Sequence, residues 1–373
     1  MNDNEDILFN KKEYKSQSFH GSEPKDTDFV TVAQLNQLRN EFYARSYHTR
    51  LPSKIPSIYD YIIYESGSNI VAKEGQNGNI YKQNSDFSTV LQYILTNCGD
   101  NNHIFIKPPR NSTVYSIEST IEIPNGTTGI TIEGGGFNWY NNGVVLKATG
   151  LSSNDAIIDD ANSSQAFNQF IHLSFDGDET GDMSNVVGLK AYGKDDKVLR
   201  CSFYDCGNYG LETKSNNWIE KCWFEKCSTG IYFRAGTVYI VNNLFWDNND
   251  DIFSDQKWPE KIFIRGNRSD ASDYFLRLDL DDTGESINYI VAIANILNNI
   301  QNDGFYFEKE SFDGVMIAHN ILEGNSTTGY LVERNTSDAT VTNSILHGNI
   351  ALNMGTGLIN EGTGWTQSDN VTT

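Results

Sequence analysis

Three consecutive segments of the chain superimpose without a gap. "VLRCSFYDCGNYGLE" begins at Val198, "IEKCWFEKCSTGIYF" at Ile219 and "IVNNLFWDNNDDIFS" at Ile240, a constant step of 21 residues. Cys201, Cys222 and Asn243 fall in one column, Phe203, Phe224 and Phe245 in a second, and Cys206, Cys227 and Asn248 in a third. Looser copies follow as "VAIANILNNIQNDGFYF", "VMIAHNILEGNSTTGYLV" and "ATVTNSILHGNIALNMGTGLI". A short period rich in strand formers and Asn implies strands coiled into a solenoid, one repeat per turn. Each unit is then one turn of a parallel β-helix, and equivalent residues stack about 4.8 Å apart. The Phe column becomes a core ladder. The Asn columns become amide ladders at the turns, where Asn also tolerates left-handed backbone.

The cysteines follow from the same register. Because Asn replaces Cys in both columns, a small, partly buried turn position accounts for them, and the favoured reading is stacked free thiols. Disulfides between adjacent turns and a zinc site built on the two Cys-x4-Cys pairs are the alternatives.

The flanking sequence divides the chain. Residues 1–28 are polar and read as a flexible arm. Residues 29–52 carry Val32, Leu35, Leu38 and Phe42 on one helical face and end at Pro52, which suits a helix for attachment or oligomerisation. Residues 53–85 read as a small β lead-in. Asp86 caps a second helix with apolar Phe87, Val90, Leu91, Ile94 and Leu95, closed by Gly99. Short strands bounded by turn residues fill the rest, giving a solenoid over 86–365 and a tail over 366–373. The formal net charge of -21 disfavours nucleic acid and anionic membrane surfaces. No run approaches the roughly 20 apolar residues of a membrane span, and "MNDNEDILFNKKEYKSQ" lacks a signal-peptide core.

The stretch from Phe87 to Gly136 resembles the start of right-handed β-helix proteins of the pectate-lyase superfamily. The resemblance rests on the helix Phe87–Leu95, on Pro108, Pro109 and Tyr115, on Ile121 to Pro124, and on Gly134 to Gly136. It departs at "RNST", where the family usually has Gly. It implies an all-β fold: a single-stranded right-handed parallel β-helix with an N-terminal capping helix, preceded here by the extra N-terminal helix. The arrangement most resembles tailspike-like virus or phage surface proteins. That likeness implies a homotrimer at the virion or cell exterior, binding a host polysaccharide or glycoprotein glycan. Another virion protein would attach through the N-terminal helix.

The sequence carries little catalytic signal. Glycoside hydrolysis needs two carboxyl groups at defined separation. The polygalacturonase-like set of Asn-Thr-Asp, an Asp pair, Gly-His-Gly and Arg-Ile-Lys is missing. His172, His319 and His347 read as isolated. The weak catalytic candidates are Asp247, Asp250, Asp251, Asp279, Asp281 and Asp282. "DGDETGD" and "DLDDTGE" make Asp176, Asp178, Asp279 and Asp281 weak calcium candidates, although no Glu stands at the twelfth loop position; no other cofactor is expected. Residues flanking an inward Phe point outward, which turns Trp223 and Trp246 to the surface. With Trp258, near Asp247, Asp250 and Asp251, and with Tyr239, which shares a column with Trp218, they are the candidate glycan contacts. The alternative for these rings is subunit or loop packing. The leading expectation is a virion surface protein that recognises host glycans. The alternative is a polysaccharide lyase or glycoside hydrolase on the same fold, and the third is a purely structural shell or filament protein.

Overall fold

The computed structural model describes residues 59–372, apart from 111, 137–142, 161–165, 179–184, 215, 256–257, 280–285, 309–310, 325–328, 335–340, 354–356 and 361–364. They belong to one compact unit, Pro56–Thr373. The expected arm and the helix over 29–52 lie outside the described residues.

The chain winds repeatedly through three parallel sheets, here called A, B and C in the order each turn visits them. Register is kept by matched inward residues. In sheet A, Val198, Ile219, Ile240, Ile264, Ala292, Ile317 and Leu346 pair in succession, and all are fully buried. In sheet B the Phe column is real: Phe175, Phe203, Phe224 and Phe245 stack with ring centres 5.0, 4.8 and 5.1 Å apart. A slip of one residue would turn these side chains to solvent, so burial fixes the register.

The column breaks at Ser269, which pairs with Phe245. Phe275 of sheet C fills the gap, its ring 6.1 Å from Phe245 and 5.6 Å from Phe305. The space left beside Ser269 holds a fully buried carboxyl, Asp251. It accepts hydrogen bonds from Ser269, Ser272 and Asn248. Burial, only partly offset by those bonds, pushes it up to about 7.

The turn between sheets A and B repeats one device. A residue in left-handed backbone precedes a small inward one: Arg200 before Cys201, Lys221 before Cys222, Asn242 before Asn243, Ala294 before Asn295, His319 before Asn320. Asn243, Asn267, Asn295, Asn320, Asn349 and Asn370 form a continuous ladder. The backbone N–H of each donates to the Oδ1 of the next, at 2.8 to 3.0 Å. Each Nδ2 donates to that same Oδ1 and to a carbonyl oxygen of an inward residue one turn earlier, as Asn295 does to Ile264. Cys222 enters the ladder through its N–H to Asn243, and its thiol donates to the Val198 carbonyl. Cys201, Cys206, Cys222 and Cys227 are all buried and free. The column thus accounts for the cysteine spacing.

The first turn is closed by the helix Phe87–Asn97. The Asp86 carboxylate accepts from the N–H groups of Ser88 and Thr89, 3.1 and 2.8 Å away. Its apolar face covers the core end, and Phe87 stacks on Tyr115. Gln92 bonds both the N–H and the carbonyl of Glu122, occupying edge groups of the first strand of sheet C. Gly134 is needed sterically, because a Cβ there would lie 2.2 Å from the His172 carbonyl of the next turn.

The lead-in is three antiparallel strands, Tyr61–Ser66, Asn69–Glu74 and Ile80–Asn84. The first pairs in parallel with His103–Ile106, so the lead-in extends sheet A. The stretch expected as a tail is part of the coil. Trp365–Ser368 joins sheet A and Val371–Thr372 joins sheet B, so the coil continues to residue 372. Asn370 follows Asn349 by 21 residues and supplies the last rung. A small sheet of Ser286–Asn288, Ser311–Asp313 and Val341–Thr342 lies at the corner after sheet C. Among the described residues no helix is long and apolar enough to cross a membrane.

Removing one rung strands its neighbours' buried polar groups. Asn295→Ala should cost about 1–3 kcal/mol in urea unfolding; an unchanged midpoint would refute a load on the ladder. Asp251 binds a proton more tightly folded than unfolded. Its contribution is complete below the unfolded value near pH 4 and is lost as pH rises through about 7. The wild-type melting temperature should therefore fall from pH 5 to pH 8, and Asp251→Asn should flatten that slope.

Candidate functional site

Alternation along sheet B turns two columns outward. One runs Ser202, Trp223, Leu244, Arg268, Ile296. The other runs Tyr204, Glu225, Trp246, Asp270, Asn298 through the same pairings. Trp223 and Trp246 meet edge to face at 6.1 Å, and Trp246 is 49% exposed. Trp223 is held in place by donating its indole N–H to Glu225, 2.9 Å away. With Leu244, Phe245, Arg268 and Asp270 the two rings line a cleft of about 220 Å³. Asp270 accepts from Asn299, which orients its carboxylate. The cleft therefore offers two aromatic walls, one guanidinium and one carboxylate.

The other expected contacts are not brought to this cleft. Tyr239 lies on sheet A, stacked between Trp218 and Phe263 at 5.0 and 4.9 Å. Trp258 starts the sheet A strand Trp258–Arg265, and its side chain lies outside the described residues. Arg268 and Asp270 carry no sequence signal, because they stand beyond the evenly spaced repeats, where the step lengthens from 21 to 24 residues.

The acidic candidates are dispersed. Asp247 occupies an exposed left-handed turn position after sheet B. Asp251 points into the core, bound by Ser269, Ser272 and Asn248, and so is removed from any outer site. Asp281 and Asp282 lie outside the described residues. Asp250 and Asp279 converge on one residue of sheet C, Arg277. Its guanidinium nitrogens lie 3.5 Å from Asp250 and 3.4 Å from Asp279. The guanidinium also packs 5.2 Å from the ring centre of Phe253 and 5.6 Å from that of Tyr274. Burial pushes the Asp250 carboxyl up to about 6, against the pull of Arg277 and with the push of Asp273 and Asp279.

Two turns along the Asp250 column stands Asp303, reached through Tyr274. Asp303 accepts from the Tyr330 N–H at 2.7 Å. Burial first, and then a hydrogen bond with Glu333, push it up to about 7. Sequence reading missed Arg277, Asp303 and Glu333 because outward columns carry no hydrophobic period. The same sheet repeats the motif earlier: buried Glu212 pairs with Arg234, which packs over Tyr232 and Tyr192.

At the first expected calcium stretch, Lys147 supplies the cation. Its ammonium lies 2.8 Å from Asp178 and 3.8 Å from Asp176. Asp279 faces Arg277 instead. Among the described residues no group of three or more His, Cys, Asp or Glu side chains is arranged to hold a metal ion. The histidines expected to be isolated have partners: His172 lies 3.9 Å from Glu133, and the rings of His319 and His347 meet edge to face.

Residues 161–346 match the family described as a right handed beta helix region. The solved structures that resemble the chain share this coil. A polygalacturonase from Erwinia carotovora ssp. carotovora is 10% identical, with TM-score 0.53, over 87% of this chain and 99% of that one. A double mutant of the tailspike protein of E. coli bacteriophage HK620 is 11% identical, with TM-score 0.51, over 77% of this chain and 62% of that one. The catalytic unit of a GH87 alpha-1,3-glucanase from Streptomyces thermodiastaticus is 15% identical, with TM-score 0.47. The chain spans 66% of that glucanase unit, just under two thirds. No curated protein matches the chain. The three-sheet coil, with its stacked amides and helical cap, defines a single-stranded right-handed parallel β-helix. The chain is a right-handed parallel β-helix protein, and its likeness to these structures is one of fold.

Proposed function

We propose that this protein recognises glycans at the surface of a virion, in the manner of a tailspike. The observation that carries the reading is the cleft of Trp223 and Trp246, with Arg268 and Asp270 at its edge. Sugar rings present C–H faces to aromatic walls and hydroxyl groups to charged side chains, and a cleft of this size suits one sugar unit. The fold match with a phage tailspike supports the setting. The ligand is a host surface polysaccharide or glycoprotein glycan. Nucleic acid and membrane insertion play no part, and residues 29–52 attach the protein to another virion component.

Self-association as a homotrimer belongs to the same reading. The outward column that holds Trp223 continues as Ile296, Ile321, Ile350 and Val371. Three of these four are exposed, an apolar stripe suited to packing between copies.

On an array of bacterial capsular polysaccharides, lipopolysaccharides and N-glycans, the protein should be retained by at least one class. Trp246→Ala should lower that retention about 10-fold or more while leaving the melting temperature nearly unchanged. Retention unaffected by the substitution would remove the cleft from the reading. Sedimentation equilibrium should give three times the 41.9 kDa chain mass, and a monomer would refute the trimer.

A further inference from the structure

The lead-in gathers positive charge on the outer face of sheet A. Ile63 and Ile106 are fully buried and pair as inward residues. Alternation then sends the next residue of each strand, Tyr64 and Lys107, to the outer face side by side. The Lys107 N–H donates to the Ile63 carbonyl, and the Lys107 carbonyl accepts from the Tyr115 hydroxyl at 2.7 Å, which fixes this backbone. On the other flank of the Tyr64 strand, Lys73 pairs with Ile62 and so stands diagonal to Tyr64 on the same face. The two ammonium groups reach one ring. Lys107 lies 5.7 Å and Lys73 5.6 Å from the centre of Tyr64.

The turn that follows adds a third cation. Pro108 and Pro109 lead to Arg110, at the "RNST" segment where the sequence departs from the family pattern. Glu65 fixes this turn. Its carboxylate accepts from the Arg110 N–H at 2.6 Å and from the Ser112 hydroxyl at 2.9 Å. Burial, and then the charges of Arg110 and Lys73, hold the Lys107 amine below the usual lysine range. Elsewhere, part-buried cations face carboxylates, as Lys147 faces Asp178, Lys190 faces Asp159 and Arg277 faces Asp250. Among the described residues Lys73, Lys107 and Arg110 have no carboxylate within ion-pair distance of their side chains. In a chain of net charge -21 this is a local surplus of cations, and a part-buried one is costly without a counter-charge.

We propose that Lys73, Lys107 and Arg110, grouped around Tyr64, form a binding site for a tetrahedral oxyanion with two negative charges, of the phosphate type. The site lies on sheet A, apart from the tryptophan cleft of sheet B, and does not depend on the reading given to that cleft.

The chemistry favours this class of ligand. The lysines act as point charges that reach in from both neighbours of the Tyr64 strand, and a tetrahedral anion offers oxygens in several directions. The Arg110 guanidinium supplies a forked donor able to grip two of those oxygens. The Tyr64 ring keeps the ammonium groups near one another without neutralising either. Three cations beside the single Glu65 carboxylate leave two charges to balance, which suits a dianion better than a carboxylate.

The test titrates the full chain by isothermal calorimetry at neutral pH and fixed ionic strength. The probes are inorganic phosphate and glucose 6-phosphate, with acetate and chloride as controls. The expected result is one phosphate group bound per chain and no saturable binding of acetate or chloride. Tighter binding of glucose 6-phosphate identifies a sugar phosphate as the source, and tighter binding of inorganic phosphate identifies the free ion; either supports the site. Lys107→Gln and Lys73→Gln should each weaken binding about 10-fold or more. Lys73 is only partly buried, so its variant carries the test if Lys107→Gln fails to fold. Lys190→Gln, which removes a cation that faces Asp159, should bind as the wild type does. No saturable binding of either phosphate, acetate bound as tightly as phosphate, or undiminished binding by folded Lys73→Gln would each overturn the proposal. Trp246→Ala is measured alongside and should bind phosphate normally. Loss of phosphate binding in that variant would move the anion to the cleft and sink this site.

Discussion

Every turn of this molecule is held to the next by hydrogen bonds that run along the coil axis. In the sheets they are backbone pairs between parallel strands. At the corner between sheets A and B they are the amide ladder from Asn243 to Asn370, in which each side chain bonds the turn before it and the turn after. The corner would otherwise bury backbone N–H and carbonyl groups with no strand to pair them. The ladder supplies those partners and leaves the left-handed residue before each rung as the one conformational demand. The stacked Phe rings, the matched Ile column and the outward faces all depend on this corner keeping its place from turn to turn.

The coil was legible in the sequence where neighbouring turns repeat without insertion. From Val198 to Asn248 the columns are evenly spaced, and the stacked residues are the ones that the register brings together. The capping helix was legible because its Asp86 cap and apolar face are local features. Other features followed from interactions between distant segments. The coil extends to residue 372 because Asn370 completes the ladder, although its last strands are two and four residues long and have little pattern of their own. Asp251 stands among the catalytic candidates by sequence; Ser269, in place of the Phe of earlier turns, opens the space that draws it inside. Cys201 and Cys222 needed no partner beyond position, since a thiol can donate to the carbonyl that an Asn amide reaches elsewhere in the column.

The site was legible only in part. Trp223 and Trp246 were visible because they flank the Phe column, whereas Arg268 and Asp270 sit one turn further along, beyond a longer repeat. Asp250 and Asp279 are separated by 29 residues of sequence and meet at Arg277, a residue with no sequence signature. Outward residues of a sheet obey no burial rule, so their grouping is decided by register alone. The faces of sheets B and C thereby acquire different chemistry: aromatic walls around a cleft on one, and carboxyl groups tightened by burial on the other.

Successive rungs of the ladder are 21, 24, 28, 25, 29 and 21 residues apart from Cys222 onward, yet their hydrogen bonds keep nearly the same length. The extra residues of the longer steps are accommodated chiefly at the corner after sheet C, where the small three-stranded sheet forms. The molecule thus behaves as a rack with one fixed rail and one open side. Segments can be lengthened or exchanged along that open side beside sheet C, turn by turn, while the address of every other residue is preserved. A lineage can retune what this face meets without re-solving the fold.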